Sequence, residues 1–87
     1  MNTDTLIVYP SDFPIKIMGP AHPEFTQIIV ALVQQYAPDF DAGSVECRPS
    51  SAGNYQSVTC TIRATSRDQL DNLYRALSAH ALVKVVL

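Results

Sequence analysis

The chain has 87 residues and a mass of 9.5 kDa, which is enough for one small domain and too little for two. Hydrophobic residues make up 47% and charged residues 16%, which excludes a disordered tail and a highly charged coiled coil. A formal net charge of −2 disfavours nucleic-acid binding through a large basic excess. The start of the chain lacks the features of a signal peptide, and no apolar run has the roughly 18 residues of a membrane span. We therefore expect a cytoplasmic protein that has no membrane segment.

The first third of the chain predicts an arm, a strand and a helix. We interpret residues 1–12 as an extended N-terminal arm that precedes a single domain of residues 13–87. Apolar and polar residues alternate from Phe13 to the Gly-Pro pair at 19–20, as in a half-buried strand. Apolar residues three and four positions apart then predict a helix over about 23–37.

The rest of the chain predicts two strands, a second helix and a last strand. Alternation places the strands at about 44–49 and 55–64, and the residues between them are turn formers. Ser66 and a glutamine three residues later form a capping-box pattern, which predicts a helix over about 66–80. A final strand is expected over about 82–87.

The element order β-α-β-β-α-β defines the fold class. With right-handed crossovers it predicts an α+β ferredoxin-like plait, in which a four-stranded antiparallel sheet of order 4-1-3-2 carries both helices on one face. Alternation places one set of residues on the helix-covered face: Ile15, Ile17, Val45, Cys47, Val58, Cys60, Ile62, Val83 and Val85. It places another set on the open face: Lys16, Met18, Glu46, Arg48, Thr59, Thr61, Arg63, Lys84 and Val86.

Positive charge is concentrated on the predicted open face. Four of the six basic residues fall there, and Glu46 is the only acid in the same set. Simple solvation of an uncovered antiparallel face explains this placement. The alternative explanation is a site for an anionic ligand or an acidic protein surface. RNA binding in the manner of RNA-reading plaits is disfavoured, because the central strands lack stacking aromatic residues on this face.

The sequence contains no recognisable catalytic or metal-binding constellation. Cys47 and Cys60 both have the parity of core positions, where a cysteine is usually a small hydrophobic residue. His22 falls in a loop and His80 at a helix end, so neither is placed as a base beside a thiol. We expect no catalytic residue, no metal and no cofactor, and whether the two cysteines lie side by side stays open.

One segment is specific enough to indicate a family. Together with Lys16–Gly19 and the terminal Val85–Leu87, the run RPSSAGNYQSV at 48–58 resembles the YbeD family of small bacterial proteins, over roughly Tyr9 to Leu87. The resemblance implies a fold similar to ACT-type regulatory domains and a non-catalytic role in sensing or protein interaction. Some members of that family carry the label of lipoate regulatory proteins.

The same resemblance draws attention to two loops. In ACT-type domains the loop between the first strand and the first helix, here with Gly19 and His22, often borders a ligand at a subunit interface. The second loop joins the two middle strands, and its residues are also explained by turn formation alone. The candidate binding residues on the open face and in this second loop are Lys16, Arg48, Ser50, Ser51, Gly53, Asn54, Tyr55, Arg63 and Lys84.

The sequence therefore predicts a small regulatory or protein-interaction module. Its partner would be a small anionic ligand, such as lipoate or an amino acid, or an acidic protein. A homodimer could form through a strand edge or through Met18 and Val86 on the open face. Two alternatives stay open: a small enzyme acting on an acyl or phosphoryl group, and a nucleic-acid-binding plait.

Overall fold

A computed structural model describes residues 8–87. Its elements are β1 (Ser11–Pro20), α1 (Phe25–Tyr36), β2 (Glu46–Pro49), β3 (Tyr55–Ala64), α2 (Arg67–Ala79) and β4 (Val85–Val86), with a 3-10 turn at Ala42–Ser44. The strands form one antiparallel sheet in the order β2-β3-β1-β4, which confirms the predicted α+β plait. Neither described α-helix is long and apolar enough to cross a membrane.

The central ladder joins β1 to β3 over ten residue pairs, from Ser11 opposite Ala64 to Pro20 opposite Tyr55. The bounds of β3 agree with the prediction, whereas β1 begins two residues earlier than expected. The predicted arm boundary after residue 12 therefore falls inside β1, because pairing with the end of β3 extends the strand. The first seven residues of that arm lie outside the described residues.

A hydrogen bond from a backbone N–H to a nearby side chain marks the start of each helix. The Nδ1 atom of His22 accepts the backbone N–H of Glu24 at 3.0 Å, in a turn that delays the start of α1 to Phe25. At α2, the Ser66 hydroxyl accepts the N–H of Gln69 at 3.1 Å, as the capping pattern predicted. The predicted helices therefore exist, with ends shifted by one or two residues.

The core lies between the two helices and one face of the sheet. Its fully buried large side chains are Ile15, Ile17, Phe25, Ile29, Val33, Val58, Cys60, Ile62, Leu73 and Leu77. Gly19 marks the closest approach of β1 to this layer, because a Cβ atom there would collide with the Phe25 ring and the Leu82 carbonyl oxygen. The position therefore requires glycine for space.

The predicted faces of the last strand are wrong. Val86 pairs with Ile17 and packs against the core, while Val85 pairs with Met18 and is 43% exposed. The Lys84 N–H donates to the Met18 carbonyl at 2.8 Å, so two residues of the last segment share one position of β1. Such a bulge shifts the alternation by one residue. Exposed apolar surface at this edge therefore comes from Val85 and Leu87, and not from Val86.

The two cysteines differ, contrary to the prediction that both are buried. Cys47 pairs with Val58 on the helix-covered face, but it is exposed because β2 is an edge strand. Its Sγ atom lies 3.2 Å from the Thr26 hydroxyl of α1. Cys60 is buried, and burial, followed by the negative charge that Cys47 can carry, raises the pKa of the Cys60 thiol to about 11. Both thiols are free, and Cys47 stands opposite Val58, two positions from Cys60.

Candidate ligand-binding cleft on the open sheet face

Side chains on the open face are aligned in rows that cross the strands. The row nearest the β2–β3 loop that crosses all four strands runs through Arg48, Ser57, Met18 and Val85. Because paired residues on one face of a sheet have Cβ atoms about 4.5–5.5 Å apart, these four side chains are neighbours. The predicted positions of Arg48 and Met18 on the open face are thus confirmed by the register.

A cleft of about 220 Å³ opens beside this row, at the base of the β2–β3 loop. We call it the hairpin cleft. Its lining residues are Met18, Arg48, Pro49, Ser50, Tyr55, Gln56 and Ser57. Three of them were candidates from the sequence. The others were missed as site residues, because the signal for them is the pairing of strands and not a local motif.

Two polar groups in the hairpin cleft have unused hydrogen-bonding capacity. Ser57 is only 9% exposed, and its hydroxyl has no hydrogen-bond partner among residues 8–87. Arg48 is exposed, and its guanidinium makes no ion pair or hydrogen bond with the part of the chain that the structure describes. The hydroxyl of this mostly buried serine keeps access to solvent, and it stands opposite the Arg48 cation with no partner for either group among residues 8–87.

The β2–β3 loop is held by its own hydrogen bonds. The Ser50 N–H donates to the Tyr55 carbonyl at 2.8 Å, and the Tyr55 N–H donates to the Ser50 hydroxyl at 3.2 Å. Gly53 has a φ of 77°, which favours glycine, and its N–H donates to the Ser50 carbonyl at 3.0 Å. Turn formation thus accounts for Ser50 and Gly53, while Ser51 is exposed.

The β2–β3 loop is also tied to the loop between β1 and α1. The side-chain amide of Gln56 donates to the carbonyls of Pro20 and His22, at 3.0 and 3.1 Å. The Ala21 N–H donates to the Asn54 carbonyl at 3.1 Å. The two loops singled out from the sequence are therefore adjacent, although Gly19 and His22 themselves do not line the hairpin cleft.

The remaining basic candidates do not converge on the hairpin cleft. Lys16 lies one row away, opposite Thr59, with Glu46 on the far side of that threonine. Lys84 is exposed and precedes the paired residues of β4. Neither lysine lines the hairpin cleft, so of the four basic residues only Arg48 does.

Arg63 lies at the other end of the open face and is already paired. Its guanidinium is 3.5 Å from the Asp12 carboxylate, and the two residues are opposite each other in the β1–β3 register. The expectation that Glu46 is the only acid on this face is therefore wrong. Asp12 was placed in an arm outside the sheet, and its inclusion in β1 puts a second acid on the open face.

The described residues offer no metal centre. Across residues 8–87 no group of three His, Cys, Asp or Glu side chains could hold a metal ion. A second hollow, lined by Tyr36, Asn72, Arg75, Ala76 and Ala79, lies on the helix layer. Of these two hollows, only the hairpin cleft is lined by residues that the sequence analysis named as candidate binding residues.

Comparison with known proteins identifies the family. A UPF0250 protein from Janthinobacterium sp. (strain Marseille) is 62% identical over 85 residues, covering 98% of this chain and 93% of that protein. A UPF0250 protein from Bordetella parapertussis is 60% identical over 84 residues, covering 97% and 92%.

Two solved structures share the fold. The solution structure of protein HP0495 from H. pylori matches with a TM-score of 0.71 at 14% identity, covering all of this chain and 94% of that one. The ACT domain of GTP pyrophosphokinase from Chlorobium tepidum matches with a TM-score of 0.58 at 21% identity, covering 88% and 97%. These matches confirm the ACT-like architecture. Residues 4–87 match the family model described as "Protein of unknown function (DUF493)", and the chain belongs to this family.

Proposed function

We propose that this protein is a non-catalytic regulatory module that binds a small anionic molecule in the hairpin cleft. Lipoate and amino acids are the candidates that the sequence resemblance implies. The observation that carries the proposal is the pairing of Arg48 with Ser57 across the β2–β3 ladder, where neither the guanidinium nor the solvent-accessible hydroxyl has a partner among residues 8–87. The ACT-like fold supports a regulatory role by analogy alone. The structural neighbour from C. tepidum is an ACT domain, which forms one part of the enzyme GTP pyrophosphokinase.

The surroundings of the nucleophilic groups support a non-catalytic role. The Cys60 thiol is buried with a raised pKa, which disfavours the reactive thiolate. Cys47 contacts the Thr26 hydroxyl, which is not a base. His22 and His80 each accept a backbone N–H through Nδ1, so the two imidazoles have structural partners in their loops. Acyl or phosphoryl transfer has no activated nucleophile among these groups.

The proposal is tested by a matched pair of charge reversals. Lipoate and individual amino acids are titrated by calorimetry and NMR into the wild type, Arg48→Glu and Arg63→Glu. Both variants change the charge of the open face equally, but only Arg48 lines the hairpin cleft. We expect Arg48→Glu to weaken binding of the active compound at least tenfold, because charge-assisted hydrogen bonds contribute about 1.5–3 kcal/mol.

Arg63→Glu should bind within about twofold of the wild type, since exposed charges at the far end of the face are largely screened. Equal weakening by both variants would show a diffuse charge effect and contradict binding in the hairpin cleft. Failure of every anion to bind the wild type would contradict the proposed function itself. Circular dichroism establishes that both variants are folded.

A further inference from the structure

The lining of the hairpin cleft restricts the chemistry of its ligand. We propose that the hairpin cleft selects a small monocarboxylate with an apolar body and discriminates against the same molecule carrying an α-ammonium group. This inference rests on the proposed function. It distinguishes between simple carboxylates, such as lipoate, and amino acids, which the proposed function treats as one group of candidates. Amino acids and simple carboxylates share a carboxylate, so the distinction depends on what else lines the hairpin cleft.

Size is the first restriction. A volume of about 220 Å³ corresponds to roughly seven water molecules at about 30 Å³ each. Pockets for drug-sized ligands occupy about 300–1,000 Å³. The hairpin cleft therefore fits a ligand of up to about a dozen non-hydrogen atoms, and a nucleotide is too large to be enclosed.

Charge is the second restriction. Arg48 is the one cation among the described residues that line the hairpin cleft, and no lining residue is acidic. A planar guanidinium with two parallel N–H groups matches a carboxylate, which it can bind through two hydrogen bonds. The site thus matches one negative charge of planar shape.

The Ser57 hydroxyl supplies a second donor. Ser57 lies directly opposite Arg48 in the β2–β3 register, on the same face. Its hydroxyl can rotate to donate to an oxygen held by Arg48, because it is accessible and has no hydrogen-bond partner among residues 8–87. A carboxylate between the two side chains uses both donors.

Much of the remaining wall is apolar, and none of the described lining residues offers a negative charge to an ammonium group. The Met18 side chain, the Pro49 ring and the Tyr55 ring provide hydrocarbon, thioether and aromatic surface. An α-ammonium group lies two bonds from its carboxylate carbon, and so would enter beside the Arg48 cation. No described lining residue carries a carboxylate to pair with it, so the ammonium would lose hydration and meet a like charge.

The test compares ligands with one carbon skeleton. Hexanoate, norleucine and hexanamide are titrated separately into uniformly ¹⁵N-labelled protein, and dissociation constants are taken from backbone chemical shifts. Hexanoate should bind at least tenfold more tightly than either of the other two compounds. Norleucine adds the α-ammonium group, and hexanamide lacks the negative charge. Its shifts should be largest at the amides of Arg48, Gln56 and Ser57.

Two variants connect the preference to the hairpin cleft. Arg48→Gln keeps an N–H donor but removes the charge, and it should weaken hexanoate binding at least tenfold. Ser57→Ala should weaken hexanoate about threefold to tenfold, as expected for one hydrogen bond. Thr61→Val removes a hydroxyl from the open face of the same strand outside the hairpin cleft, and it should leave hexanoate binding unchanged.

The outcomes separate this inference from the proposed function. Norleucine binding as tightly as hexanoate, with shifts at the hairpin cleft, would overturn the selection against ammonium and leave the proposed anion site standing. Tighter binding of inorganic phosphate would overturn the monocarboxylate assignment in the same way. Hexanoate binding that survives both Arg48→Gln and Ser57→Ala would overturn the location. Absence of binding by all these compounds, with lipoate also inactive, would overturn both proposals.

Discussion

The two faces of the sheet differ in what their side chains contribute. On the covered face, Ile15, Ile17 and Val58 are completely buried against the helices. On the open face, Lys16 and Thr61 are exposed, and Ser57 is the exception that is buried without a helix above it. The comparison indicates that the covered face supplies stability, and the open face near Ser57 is where we propose the binding site. Substitutions on the two faces should therefore have different consequences.

The largest expected effect comes from adjacent residues on opposite faces of β1. Ile17→Ala should lower the free energy of unfolding by about 3 kcal/mol, because it removes buried surface and leaves a cavity. Lys16→Ala should change it by less than about 0.5 kcal/mol, because that side chain is solvated. Urea denaturation followed by circular dichroism measures both. A loss above 2 kcal/mol for the lysine variant would contradict the division between the faces.

The two thiols provide a comparison between the edge and the centre of the covered face. At pH 8 a thiol reagent should label Cys47 at a rate close to that of an unstructured cysteine peptide, since it is exposed. Cys60 should react at least a hundredfold more slowly, because it is accessible only after local or global opening. Mass spectrometry of the time course assigns each site. Labelling of Cys47 far faster than the reference peptide would favour the thiol-enzyme alternative.

Alkaline pH should weaken the covered face through Cys60. Its pKa is about 11 in the folded chain against an ordinary value of 9.0, so the unfolded chain loses the proton first as pH rises. Between pH 9 and 11 the native state holds more protons, and stability falls by about 2–3 kcal/mol across that window. Below pH 9 the effect is absent.

A matched variant isolates this contribution from other groups. Burial also raises the pKa of Tyr74, and both proteins retain that tyrosine. The difference in unfolding free energy between the wild type and Cys60→Ala should therefore shrink from pH 9 to pH 11. A difference that stays constant with pH would show that Cys60 ionises as easily in the native state as in the unfolded chain.

The link between the two loops beside the hairpin cleft should have an intermediate effect. Gln56→Leu removes both hydrogen bonds to the β1–α1 loop and should cost about 1 kcal/mol. Gln35→Leu changes an exposed glutamine of α1 and serves as the control. Amide shifts of Ala21 and Glu24 should move in the first variant and not in the second. An effect below 0.3 kcal/mol with unmoved shifts would contradict a structural role for this link.

The smallest effect is expected at the far end of the open face. Asp12 and Arg63 are both more than half exposed, and exposed ion pairs contribute about 0–1 kcal/mol. A double-mutant cycle with Asp12→Asn and Arg63→Gln should give a coupling energy below about 0.5 kcal/mol, which decreases further in 1 M salt. A coupling of 1.5 kcal/mol or more would give this pair a structural importance that its exposure does not predict.

Strong local patterns made most of the fold predictable. The alternation of Val58, Cys60 and Ile62 defines β3 within its observed bounds, because a central strand is buried on the face where its apolar residues lie. Ser66 likewise identifies the start of α2 through a hydrogen bond that spans only three residues. Features specified within a few neighbouring residues are therefore predicted well.

Errors arose where the outcome depends on a distant partner. The last segment is almost continuously apolar, so its two faces are decided by the bulge opposite Met18 and not by its own pattern. The ion pair of Asp12 depends on how far β1 extends along β3. The hairpin cleft has the same origin, since Ser57 and Met18 become neighbours only through pairing of β1 and β3.

The long β1–β3 ladder also sets a condition for folding during synthesis. The ladder closes only when Tyr55–Ala64 has been made, roughly 44 residues after β1 is complete. At about 5–20 residues per second, the apolar face of β1 lacks its partner strand for about 2–9 s. Because non-local pairing is slow to form, this interval is the period in which the nascent chain is most exposed to aggregation. Codon choice across residues 21–54 should therefore influence the yield of folded protein more than the same changes after residue 64.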